Sequence, residues 1–277
     1  MNKYNLDNKK LKIEDYQHPL DKQAVDAVLN VPRVESILKF ISKNAVERID
    51  RFINNATYLR ITPEMSPKLH NMLNEARNMF NADYEVSLYL DRSYNIGAIT
   101  NGIENKHIIL TTSLVDSGND DALWGIISAC ISNFEAKHAT IDLIDEMLKR
   151  GEGILPFAVD AGLRLALNNW RRNREYTCDR AVLLALGDFN KAVKLRLMGV
   201  APESTLDAID FTKPDNSYRE QANDYLNLGG SAGALRTINI IGSEGHSLAS
   251  RYTELYNWYI SGEYQDILER SVENDDL

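Results

Sequence analysis

The stretch "ISACISNFEAKH", Ile127 to His138, lies inside a long apolar stripe, and its reading decides the rest of the chain. Leu123, Ile127, Cys130, Phe134, Ile141, Ile144 and Leu148 recur at steps of three and four, the spacing that lines one face of an α-helix. The pattern predicts one helix from Asp120 to about Arg150, with His138 continuing the apolar face. Free cysteine is among the most buried residue types, so Cys130 reads first as a small core residue. His138 reads as a partly buried, hydrogen-bonded histidine.

Upstream, the period changes. "EVSLYLD" (Glu85 to Asp91) alternates and predicts a strand, and "GAITNG" and "HIILTTSLV" are two more candidates around the turn "NGIENK". Further upstream, "HPLDKQAVDAVLNVPRVESILKFISKNAVERIDRFI" predicts two helices broken near Pro32. "SPKLHNMLNEARNMF" predicts another, with Ser66 as N-cap and Pro67 in its first turn. Downstream, "GEGILP" ends the long helix, and helices are expected at 157–187, 190–198, 216–227 and 247–271. The fold class is α+β: mostly helical, with one small antiparallel sheet packed beside the long motif helix. A single domain is expected over 18–270, between an N-terminal tail at 1–17 and an acidic C-terminal tail at 271–277.

Composition narrows the function. The 277 residues are 44% hydrophobic and 26% charged, ordinary for a globular protein with a real core. A net charge of −9 argues against nucleic acid as partner, since phosphate binding needs clustered Lys and Arg. The most apolar stretch, Ile154 to Leu167, is interrupted by Asp160 and Arg164, whereas a bilayer span needs about 20 apolar residues. The N-terminus is polar and unlike a signal peptide. Two cysteines, Cys130 and Cys178, form no CxxC pair. A cytoplasmic protein without a membrane span is the expectation.

The helix has the place of a zinc-peptidase helix. In H-E-x-x-H, two histidines at i and i+4 bind Zn²⁺ and the Glu activates the metal-bound water. Further on, "NWRRNREYTCDRAVLLAL" puts Glu175 and Asp179 at i and i+4 on one face of a later helix. Arg171, Arg172, Arg174 and Arg180 offer these carboxylates structural ion-pair partners.

Five segments in order resemble the gluzincin metallopeptidases related to HtpX and the CAAX prenyl proteases (peptidase family M forty-eight), most closely a soluble bacterial branch. They are "HPLDKQAV", "NIGAITNGIENKHIILTTSLVD", "DDALWGII", "REYTCDRAVLLAL" and "ELYNWYISGEYQDIL". The resemblance implies a zincin-like domain in which Glu175 would be the third zinc ligand. It also implies an edge strand that pairs with an extended substrate peptide, the β-augmentation mode. Asn95, Ala98, Thr100 and Gly102 fall on that strand motif. With His138 matched to a histidine just past the family motif, the first zinc His falls on Ala129, the catalytic Glu on Cys130 and the second His on Asn133. His246 and Arg251 fall where the family has a His-Pro followed by an Arg, with Ser247 in place of the Pro.

Two readings follow. In the first, the chain is a pseudopeptidase with no catalytic residues and no cofactor, binding a peptide or partner protein in a vestigial cleft that holds Glu175, Asp179, His246 and Arg251. In the second, a non-standard metal site is built from Cys130, His138 and Glu175, with Glu135 and Cys178 as further donors. The i, i+3 spacing of Glu135 and His138 is the one di-metal helix bundles use.

Overall fold

The computed structural model describes residues 10–43, 46–150, 161–227 and 247–273. Its first helices are α1 (Ile13–Tyr16), α2 (Pro19–Leu29), α3 (Pro32–Lys43) and α4 (Val46–Thr57). Three helices thus stand where two were expected after His18. The break after α2 is at Pro32, and residues 44 and 45, between α3 and α4, lie outside the described residues. The expected N-terminal tail is partly structured. Tyr16 is buried, and its hydroxyl bonds Ser132 Oγ at 3.0 Å.

A short strand that the sequence did not announce, β1 (Leu59–Ile61), leads to α5 (Pro67–Met79). Ser66 Oγ caps α5 at the Leu69 amide, as its sequence predicts. Then come β2 (Ser87–Asp91), β3 (Ala98–Asn101) and β4 (His107–Thr111). The sheet order is β1-β2-β4-β3, and the sheet is mixed, not antiparallel. β3 folds back on β4 as an antiparallel hairpin on the outside, so β4 lies parallel to β2, with Leu88 opposite Ile108. β1 closes the other side antiparallel to β2. The inner strand β4 is buried along most of its length, which accounts for its continuous apolar run.

The hairpin turn depends on one glycine. Gly102 has φ +95°, and a Cβ there would stand 2.2 Å from the Asn105 carbonyl oxygen. Gly102→Ala is therefore expected to cost about 1–3 kcal/mol or more, read as a lowered urea midpoint. A midpoint within error of wild type would show that the turn can relax.

After β4 come α6 (Thr112–Asp116), α7 (Asp120–Glu135), α8 (His138–Arg150) and α9 (Ala161–Leu186). The predicted single helix over 120–150 is two. Ala136 and Lys137 break it, with Lys137 at φ +61°. No Gly or Pro marks this break, so the 3.6-residue period appeared to run straight through it. The chain ends with α10 (Phe189–Leu197), α11 (Glu203–Leu206), α12 (Ser217–Leu226), α13 (Leu248–Ile260) and α14 (Glu263–Glu273). The helix expected over 247–271 is split at Gly262, whose φ is +94°.

The main core forms where α7 and α9 pack between the sheet, α5 and α13. Gly125 lets α7 approach α10 closely, since a Cβ there would be 2.7 Å from Leu195 Cδ2. A second core joins α2, α3, α8 and the first half of α9 around Trp170. Among the described residues, no helix is long and apolar enough to cross a membrane.

Candidate functional site

The motif positions sit at the seam of the two cores. Ala129 and Cys130 are buried in the α7 stripe, and Asn133 lies one turn further on. Burial pushes the Cys130 thiol up to about 12, so it stays protonated, with Arg196 and Arg174 only partly opposing the shift. Asn133 turns its amide to two neighbours. Its Oδ1 is 3.0 Å from His138 Nδ1 and accepts from Cys178 Sγ at 3.0 Å. Burial also raises the Cys178 thiol well above its ordinary range.

The break at Lys137 swings His138 back over α7 toward α2. His138 Nε2 donates to the Asp21 carboxylate, at 2.9 Å from Oδ1 and 3.0 Å from Oδ2, and both side chains are fully buried. Thr177 Oγ1 donates to Asp21 Oδ2 at 2.6 Å and accepts from the His18 amide at 3.1 Å. Burial works against Asp21 ionising. The charge of His138 and hydrogen bonds from His138, Thr177 and Gln17 outweigh it and hold the carboxyl below its usual range.

Sequence reasoning missed Asp21. A signal was present: Asp21, Ala24, Val25 and Val28 share one helical face at i, i+3, i+4 and i+7, so a carboxylate lay within an apolar stripe.

The second half of the site is the acidic face of α9. Arg251, from α13, clamps Asp179 with Nη2 at 2.6 Å from Oδ1 and Nε at 2.8 Å from Oδ2. The same Nη2 is 3.1 Å from Glu175 Oε2. Arg196 Nε stands 2.5 Å from the nearly inaccessible Asp179 Oδ1, an ionic contact without hydrogen-bond alignment. Burial opposes the charge on Glu175, yet Arg251, Arg174, Arg196 and His138 bring its carboxyl down to about 2.

The ion-pair partners thus differ from those the local sequence offered. Arg171 and Arg174 turn to Asp145 and Asp142 on α8, and Arg180 to the Tyr16 carbonyl. On α9, Arg171 and Arg174 turn toward α8, while Glu175 and Asp179 turn toward Arg251 of α13. Arg251 does join Glu175 and Asp179, while His246 lies outside the described residues.

Zinc does not fit this donor set. Ala129 offers no ligand, Cys130 holds its proton, and Asn133 Oδ1 already serves His138 and Cys178. Both ring nitrogens of His138 are engaged, and Glu175 faces a guanidinium. Glu135 leaves the site, accepting from Tyr84 at 2.8 Å, with burial raising its carboxyl. Among the described residues, no group of three or more His, Cys, Asp and Glu side chains is arranged to hold a metal. Cys130, His138 and Glu175 do not converge as a ligand set.

The strand motif is divided. β3 is the sheet edge opposite β1 and packs beside α7 and α8. Asn95 precedes it and is exposed, Ala98 is half-buried and Thr100 is buried. Gly102 follows it in the turn, and its amide is spent on Asn101 Oδ1 at 2.7 Å. Next to this edge, Ile96 opens onto a cavity of about 360 Å³ that is also lined by Ala122, Leu186, Leu195, Met198 and Leu206.

The chain is related to a family of metallopeptidases, the one its motif order resembles. Over 272 residues, 95% of this chain and 77% of the relative, it is 26% identical to plastoglobule-localized metallopeptidase 48, chloroplastic, of Arabidopsis thaliana. No protein-family model and no solved structure matches it.

Proposed function

We propose that this chain is a pseudopeptidase: a metallopeptidase-like domain that hydrolyses nothing and binds a peptide or partner protein along β3. The observation that carries the reading is the Asn133 amide. It is committed to His138 and Cys178, at the position where the family resemblance expects the second zinc histidine. Activating water needs a metal and a base, and among the described residues no group of three or more His, Cys, Asp and Glu side chains is arranged to hold the metal. Peptide pairing asks for less. A strand edge offers its main-chain groups whatever the neighbouring side chains are, and exposed Ile99 with the cavity at Ile96, whose lining mixes apolar side chains with Asp121, Lys191, Lys194, Glu203 and Asp207, would take side chains of a bound segment. A cytoplasmic location accompanies this reading, since the two free cysteines suit a reducing compartment.

The test is metal content by mass spectrometry on protein purified without chelator or affinity metal, alongside hydrolysis of unfolded casein. We expect metal near zero, no hydrolysis, and capture of extended peptides on an array that Ile99→Glu weakens. Stoichiometric zinc, or hydrolysis lost in Glu175→Gln, would overturn the reading and restore a non-standard metal site.

A further inference from the structure

Helix α4 is anchored to the protein by its polar side. On a 3.6-residue wheel, Glu47, Arg51 and Asn54 share that side, while Ile49, Phe52 and Ile53 share the other and are exposed. Asn54, 7% exposed, places Nδ2 2.8 Å from His107 Nε2, and Asn55 Oδ1 accepts from the Tyr89 hydroxyl at 3.0 Å. The Glu47 carboxylate accepts the Glu104 amide at 3.2 Å and caps the β3–β4 turn. Arg51 stands one helical turn from each of these anchors and lines a cavity of about 610 Å³ at the end of the sheet.

The cavity lies where β1 leaves β2. Ile61 opposite Leu88 is the last pair of those strands, and the chain then turns away toward α5. Residues paired across two strands share a face of the sheet, so Arg60, opposite Tyr89, lies on the face whose Tyr89 bonds α4. Arg77 comes from α5, so three arginines line one cavity from three elements. Arg51 and Arg60 make no hydrogen bond or ion pair with any described residue. Arg77 Nε is buried without a partner among the described residues, and its other nitrogens reach Asn74 and Glu85 only at 3.4 and 3.5 Å. Arg171, Arg174, Arg196 and Arg251 each face a carboxylate closely. The other cations of the cavity are engaged: Lys106 Nζ donates to the Ile103 carbonyl, His70 Nε2 to the Ile61 carbonyl, and both ring nitrogens of His107 have partners. Glu85 and Glu104 are its carboxylates, and both are exposed.

We propose that this cavity binds a soluble small molecule through a phosphate group, with Arg51, Arg60 and Arg77 as the recognising residues. Its volume falls within the range of about 300–1,000 Å³ usual for small-molecule sites. On a chain of net charge −9 carboxylates are plentiful, yet none is set against Arg51 or Arg60 among the described residues. A single carboxylate is saturated by one guanidinium fork. A phosphate carries close to two negative charges and three acceptor oxygens, so it can serve several forks at once, and the planar guanidinium matches its geometry. The site is separate from the β3 edge, because β1 and β3 are the opposite ends of the sheet.

The experiment is calorimetric titration of the full chain with glycerol 3-phosphate, inorganic phosphate and citrate at matched ionic strength. Four proteins are compared: wild type, Arg51→Gln, Arg60→Gln and, as a control, Arg92→Gln, an exposed cation outside the cavity. Arg51 and Arg60 are exposed, and unchanged urea midpoints confirm intact folds. Wild type should bind glycerol 3-phosphate saturably, at least as tightly as inorganic phosphate and at least tenfold more tightly than citrate. Arg51→Gln and Arg60→Gln should each weaken that binding about tenfold or more, the loss of one charge-assisted hydrogen bond, and Arg92→Gln should leave it unchanged. The proposal is overturned by any of four results. They are no saturation with glycerol 3-phosphate below about 10 mM, citrate binding as tightly, inorganic phosphate binding while the ester does not, or an Arg92→Gln effect equal to those of the cavity variants.

Discussion

Replacing Asp21 by alanine should lower the unfolding free energy by about 3–5 kcal/mol, the cost of removing one partner of a fully buried, hydrogen-bonded carboxylate–histidine pair. For a chain of this size that is a fall in Tm of roughly 5–10 °C. The cost comes from what is left behind. His138 Nε2 and Thr177 Oγ1 would both donate into a space that holds no acceptor and no water access. Four elements meet at that point, α2, α7, α8 and α9, so the loss is not local. The double variant Asp21→Leu with His138→Leu should cost clearly less than the sum of the two single changes, because it removes donor and acceptor of the pair together and leaves only Thr177 Oγ1 without its acceptor. Strict additivity in urea titrations would show that the pair is not coupled.

Arg251→Met should destabilise the protein by a similar amount, about 3–5 kcal/mol, and should also reshape its acid unfolding. Arg251 is the largest of the influences that draw Glu175 from the ordinary 4.5 to about 2. A carboxyl lowered on folding contributes stability that is fully present above its unfolded value, near pH 4.5, and is lost as pH falls toward 2. Without the guanidinium, burial acts on Glu175 with less opposition and its folded value rises. The contribution then shrinks, and the stability of Arg251→Met should fall less steeply than wild type between pH 4.5 and 2. Asp179 keeps Arg196, so the variant retains part of its charge balance and is expected to fold. Parallel acid limbs for the two proteins would mean that Arg251 does not set the Glu175 titration.

Much of the molecule follows from nearest-neighbour chemistry and so was legible in the chain. The Ser66–Pro67 start of α5, the period-two run that becomes β2, and the helical stripe of α7 each depend on residues within about two turns of one another. That Ala129, Cys130 and Asn133 stand where the family resemblance expects zinc-motif residues was an expectation drawn from the sequence. That a carboxylate in an apolar stripe would need a buried partner was also implied by Asp21, although which partner was not.

Only the tertiary structure decided the rest. His138 finds Asp21 across 117 positions of sequence separation, and Arg251 finds Asp179 across 72. No local period encodes such distances. The break at Lys137 has no Gly or Pro to announce it, and the contacts of His138 with Asn133 and Asp21 support a positive φ that the residue alone disfavours. The mixed sheet arises because β3 passes outside β4, a choice of topology rather than of strand propensity. The outward face of α4 shows the same limit most plainly. Amphipathicity says that a helix has two sides, but which side meets the protein was settled by Asn54, Asn55 and Glu47 finding His107, Tyr89 and the β3–β4 turn.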